Sequence, residues 1–267
     1  MRRIAALLVK ELAELRTNPG IFVPAILTAA IAMALPFAIA VILPAVSGEA
    51  LADSSDMQIA LELYRSQPAA RALDPEAAIQ SVLFQQFLIL LVLSPVAASM
   101  SIAAYSVIGE KQARTLEPLL ATPVSTTELL AAKVLGAFLP SLALSLACFG
   151  VYLVGIGAFA RAGVALSLLA PRPLGVVLLI GPLASLAALQ LAVCVSSRVN
   201  DTRSAQQLAA LVVLPLTGLL IGQLTGAITL TMPFILVIAG VLCVANVGLL
   251  RLAVRLFDRE SILTRWK

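Results

Sequence analysis

Residues Ser204–Leu250 read SAQQLAALVVLPLTGLLIGQLTGAITLTMPFILVIAGVLCVANVGLL, 47 residues without one Asp, Glu, Lys or Arg. A helix needs about 20 mostly apolar residues to cross roughly 30 Å of hydrocarbon, so this run is long enough for two crossings. Its small and polar centre, Gly222-Gln223-Leu224-Thr225-Gly226, marks the break between them. Four more uncharged runs, Thr17–Gly48, Ala77–Gly109, Val134–Ala160 and Pro173–Ser197, hold one span each. The reading is an all-α polytopic membrane protein with six transmembrane helices; five spans and a re-entrant segment is the competing layout.

Composition agrees. The 267 residues are 61% hydrophobic and 12% charged, with a mean hydropathy of +1.04, far from the balance of a soluble domain. The chain has no histidine, which removes histidine acid–base chemistry, Ser-His-Asp triads and the usual zinc sites. Cys148, Cys194 and Cys243 lie far apart in apolar stretches, with neither metal-ligand nor redox spacing. No metal site is expected.

Basic residues orient the spans. The N-terminal tail, the second-to-third and fourth-to-fifth connections and the C-terminal tail carry fourteen Lys and Arg, against Arg65, Arg71, Arg161 and Arg172 on the other side. The positive-inside rule then puts both termini in the cytoplasm. This bias also accounts for the net charge of +4 without nucleic acid. The basic start is not read as a cleaved signal peptide, because the charged leader and the apolar run are both too long. Residues 1–20 read instead as an interfacial amphipathic helix, with Ile4, Leu7, Leu8, Leu12 and Leu15 on one face and Arg3, Lys10 and Glu14 on the other. Asn18-Pro19-Gly20 ends it. Outside the membrane, residues 47–74 form the one sizeable outer loop, and Asp74-Pro75-Glu76 has the chemistry of a helix start. A second helix running from there to Gly109 would reach roughly 52 Å.

The predicted spans hold no ionisable Asp, Glu, Lys or Arg, which weighs against a proton-driven pump or a voltage sensor. Gln85, Gln86, Gln190, Gln223 and Asn246 either line a substrate path or tie helices together by hydrogen bonds. Prolines 24, 36, 95, 140, 182 and 215 predict kinks. No GxxxxGK[ST] phosphate loop is present, so this chain is not expected to hydrolyse ATP or to carry a cofactor of its own.

Residues 110–133, EKQARTLEPLLATPVSTTELLAAK, are the informative connection. Glu110, Lys111 and Arg114 end the second helix. Thr115 can cap a short helix bearing Leu116, Glu117, Leu119 and Leu120, Pro123 stops it, and Ser125-x-x-Glu128 is a capping box for the third span. A short apolar transverse helix suits a partner's groove; it equally suits a capped loop packed on its own bundle.

The pattern E-K-x-x-x-T-L-E-x-L-L-x-T-P-V-S-x-x-E-L-L-x-x-K resembles the intracellular segment of the ABC transporter type-2 permeases. The matching positions are Glu110, Lys111, Thr115, Leu116, Glu117, Leu119, Leu120, Thr122, Pro123, Glu128 and Lys133. Lys10-Glu11-Leu12 and the closing stretch Phe257–Trp266 are similar to the same family. Arg114 stands where the family usually has glycine. The resemblance implies one permease domain over 1–267, with 110–133 as the ATPase-coupling segment and 251–267 as a cytoplasmic tail. It implies a dimer of permease subunits, each docked to a separate cytoplasmic ATPase that binds ATP and Mg. It also implies short re-entrant helices on the outer side between spans five and six. The expected function is therefore the membrane permease of an ATP-driven exporter in a bacterial-type plasma membrane. A secondary carrier or channel, and an assembly subunit without transport, are the alternatives.

Overall fold

The computed structural model describes residues 2–48, 51, 73–112, 126–197, 199 and 201–256, and among them there is no strand. Six helices are long and apolar enough to cross a membrane: Pro19–Ser47, Pro75–Glu110, Thr127–Phe159, Pro171–Ser196, Thr202–Leu224 and Met232–Leu256. These are the first to sixth spans. The fifth ends where the glycine-rich centre of the long run places it. Gly226 adopts φ 72°, a left-handed conformation that glycine takes without steric cost. The Ile228 N–H then donates to the Gly222 carbonyl at 2.8 Å, and the Ile228 side chain folds over Gly222. Residues 225–231 carry no helix of their own between the two spans, where the resemblance implies short re-entrant helices.

The second span is the central post. About 83% of its apolar window is buried and 67% of the fourth span's, against 17–22% for the other four. It packs on the first, third and fourth spans, while the sixth rests on the fourth. Lipid offers apolar side chains no advantage in leaving it, so packing and hydrogen bonds hold such a bundle together. Serines of the second span supply some of those bonds. Ser94 Oγ donates to the Ala25 carbonyl of the first span at 3.2 Å, and Ser99 Oγ to the Ser185 carbonyl of the fourth at 2.9 Å.

Two prolines reshape the helices more than a kink requires. Proline has no N–H and its ring crowds the carbonyl four residues back. Pro44 thereby displaces the Ala40 carbonyl, and residues Ala38–Ile42 widen into a π-turn in which the Leu43 N–H reaches Ala38. Pro182 does the same to Leu178: Val176–Ile180 is a second π-turn, with the Gly181 N–H on Val176. The second span has its own interruption at Phe87, between helices Pro75–Gln86 and Leu88–Gln112. Its start at Pro75 follows the sequence, but the Asp74 side chain makes no capping bond.

The N-terminal helix, Arg2–Thr17, ends before Asn18 and the short 3-10 turn Pro19–Phe22. Leu7, Leu8 and Leu12 are half-buried and Leu15 is buried, as the amphipathic face requires. Lys10, on the face away from those leucines, is not left to solvent. Lys10 is half-buried, and the neighbouring Glu11 is more deeply buried than any of the leucines, because both meet charged groups of the bundle.

Candidate functional site

Glu11, Glu110 and Lys133 come from three separate elements and meet at one end of the bundle. The Lys133 side chain is 1% exposed, that of Glu110 5% and that of Glu11 8%. Lys133 Nζ lies 3.0 Å from Glu11 Oε1 and 2.8 Å from Glu110 Oε2, and donates to Ser106 Oγ at 2.8 Å. An ammonium has three protons, and their acceptors here are Glu11 Oε1, Ser106 Oγ and the Ser106 carbonyl at 3.3 Å, while Glu110 Oε2 adds its charge from within ion-pair distance. Ser106 Oγ donates in turn to Glu11 Oε2 at 2.7 Å. On the outer edge, Lys10 Nζ donates to Glu110 Oε1 and pairs with Glu14 at 3.2 Å. The result is an alternating chain, Glu14–Lys10–Glu110–Lys133–Glu11, closed by a serine.

Local geometry explains why these positions converge. Ser106 and Glu110 are four residues apart on the second span and share a face. Lys133 lies in the second turn of the helix Thr126–Phe159. One turn further on, Gly136 leaves room for the N-terminal helix: a Cβ there would stand 2.9 Å from Glu11 Cβ. Burial disfavours the charged form of Lys10. The hydrogen bond and charge of Glu110, followed by Glu14 and Glu11, outweigh it and hold the Lys10 pKa above its ordinary value.

Buried ion pairs contribute little net stability, because desolvation offsets their attraction. Removing one member is a different matter, since it strands a buried charge at a cost of about 3–5 kcal/mol. The cluster therefore acts as a latch. It fixes the N-terminal helix to the last turn of the second span and the first turns of the third, the two roots of the 113–125 segment. Lys111 lies within the helix Leu88–Gln112. The remaining expected coupling positions, Arg114, Thr115, Leu116, Glu117, Leu119, Leu120 and Pro123, and the capping Ser125, lie outside the described residues.

The amides expected along a path do not gather at one place. Gln190 Nε2 donates to Asn246 Oδ1 at 3.1 Å, and Asn246 Nδ2 donates to the Leu183 and Leu242 carbonyls at 3.0 and 2.8 Å, which joins the fourth and sixth spans. Gln85 reaches Ser167 at 3.4 Å, towards the end of the bundle away from the charge cluster. Gln86 is half-buried.

Sequence reasoning gave no role to Ser106 or Gly136, and Glu11 figured only in the Lys10-Glu11-Leu12 resemblance. The spacings Ser106-x-x-x-Glu110 and Lys133-x-x-Gly136 were the available signals.

These features define a helical membrane protein whose charged groups are latched at one end. A family model described as ABC-2 family transporter protein matches residues 55–244. The chain belongs to this ABC-2 transporter family, and it is a multi-pass permease component. Among curated proteins none matches the chain.

Proposed function

We propose that this chain is the permease subunit of an ATP-driven exporter, powered by a separate cytoplasmic ATPase that docks on the coupling segment 110–133 and binds ATP and Mg itself. The chain is not an enzyme in this reading. It pairs with a second permease subunit in a bacterial-type plasma membrane, with both tails cytoplasmic as the basic-residue split indicates. One observation carries the reading: the buried cluster that ties Glu110 and Lys133, at the two ends of the segment, to each other and to the N-terminal helix. A segment meant to transmit force needs roots that cannot yield separately. Closure of the ATPase pair would push on the segment 110–133, and the latched unit would carry the push into the first three spans together.

Leu119 and Leu120 are the expected apolar anchors. An anchor of this size contributes roughly 1.5–3 kcal/mol of burial, and a carboxylate in its place would be desolvated in the groove. The test is co-purification of the native complex, followed by reconstitution with its ATPase. Leu119→Asp/Leu120→Asp is expected to abolish docking and substrate-stimulated hydrolysis while insertion is retained. Normal assembly and turnover in that variant, or transport in vesicles without nucleotide, would refute the proposal.

A further inference from the structure

At the end of the bundle away from the charge cluster, the first three spans border an open cleft of about 420 Å³. Its lining includes Ala40, Pro44, Glu76, Gln80, Phe159 and Arg161. The cleft owes its shape to Pro44. The Ala40 carbonyl that the proline displaces accepts from Gln80 Nε2 at 3.1 Å, and Gln80 Oε1 accepts from the Arg161 backbone N–H at 2.8 Å. One buried amide thus ties the first two spans and the turn after the third together at a π-turn, a kind of helix defect often kept at functional sites.

Two opposite charges face this space from different elements. Glu76, in the first turn of the second span, is half-buried and accepts from the Leu51 N–H at 3.2 Å. Arg161, just past the third span, is exposed. The two groups lie beyond ion-pair distance of each other, and neither forms an ion pair with another described residue. Beside them, Phe159, 70% exposed, and the half-buried Val41 form an apolar wall of the cleft at the span ends. A carboxylate, a guanidinium and an adjoining membrane-facing apolar wall match a molecule with an ammonium, a phosphate and hydrocarbon chains.

We propose that this cleft binds a phospholipid with a zwitterionic, ammonium-bearing headgroup. Its phosphate sits on Arg161, its ammonium on Glu76, and its chains lie along Phe159 and Val41. An anionic lipid meets the same guanidinium but is repelled by Glu76, so the site discriminates by headgroup. It requires only the folded bundle in a bilayer, and so stands or falls separately from ATP coupling.

The test uses the full chain, purified in detergent and presented with phosphatidylethanolamine, phosphatidylglycerol or soluble glycerophosphoethanolamine, with retained lipid counted by native mass spectrometry. Phosphatidylethanolamine is expected to be preferred over phosphatidylglycerol by about tenfold, the equivalent of one charge-assisted contact. Glu76→Gln keeps an acceptor for the Leu51 N–H and is expected to erase that preference. Arg161→Gln, which leaves the backbone bond to Gln80 in place, is expected to weaken both lipids. Equal retention of the two lipids by the parent would overturn the proposal, as would an unchanged preference in Glu76→Gln. Competition by glycerophosphoethanolamine at lipid-like concentrations would overturn the assignment to a membrane lipid.

Discussion

Replacing Lys133 with methionine keeps an unbranched side chain as far as Cε and removes the charged group at its end. Glu11 and Glu110, held 3.0 and 2.8 Å from the ammonium on either side, would then face each other in a nearly dry site. Stranding buried charge in this way costs about 3–5 kcal/mol. The bundle need not bear that cost, because the N-terminal helix can lift away and take Glu11 into water. What opposes lifting is the packing of Leu7, Leu8, Leu12 and Leu15 and the Lys10–Glu110 ion pair, which survives the substitution. A detached amphipathic helix can still bury those leucines in the membrane interface, so the charge term decides. At 1.4 kcal/mol per decade, the docking equilibrium should fall by roughly 10² to several times 10³. Leu15, 8% exposed in the docked helix, reports the change when it is made the sole cysteine and its rate of maleimide labelling is followed. Lys133→Met is expected to speed labelling by about two orders of magnitude, and Glu11→Gln added to it should restore much of the protection. The two changes should be strongly non-additive, as contacting residues are. Labelling at the parental rate in Lys133→Met, with protein correctly inserted, would refute the latch.

Gly136→Leu should release the same helix by overpacking against Glu11 at about 1–3 kcal/mol, read by the same cysteine, whereas Gly150→Leu, which meets open space, should not. Gln80→Leu should destabilise the protein by about 1–3 kcal/mol in thermal unfolding, because it strips partners from the Ala40 carbonyl and the Arg161 N–H. That penalty should shrink in a Pro44→Ala background, where the helix can recover the Ala40 carbonyl for itself. The raised pKa of Lys10 sets a sign for pH. Its contribution to docking is fully present below the ordinary 10.5 and lost as pH climbs through the higher folded value. Spin-label distances between the N-terminal helix and the third span should therefore hold steady from neutral pH to about 10 and lengthen only above it.

The spans were legible because crossing a bilayer demands length and apolarity, and both are written locally. Asn18-Pro19-Gly20 and Gly226 were legible for the same reason: each breaks a helix by its own backbone chemistry. The latch was not. A helical wheel puts Lys10 on the face away from the leucines but counts residues around one axis only, and its partner Glu110 is 100 residues away in the chain. The helix starts at Thr126, as the capping box at Ser125 indicated, but nothing local announced that Lys133 would be buried between Glu11 and Glu110. Prolines announced kinks without saying where the displaced carbonyls would find donors; only packing shows that Gln80 serves Ala40. The amides behaved likewise. Gln190 and Asn246 meet across two spans, while Gln85 bonds at a different depth, and no spacing in the sequence distinguishes the cases.

The second span takes part in both polar sites, with Glu76 and Gln80 near one end and Ser106 and Glu110 near the other. At 36 residues it is about 54 Å long, and between those ends it holds no charge. Ser94 and Ser99 instead bond it to backbone carbonyls of the first and fourth spans. Sliding this helix along its neighbours would break both bonds in a medium that offers no water to replace them. Rotating the spans as a group would break neither. Force entering at Glu110 is therefore expected to turn the latched bundle as one body and to reach the far cleft through the interruption at Phe87, the point along the post where the helix departs from regular geometry.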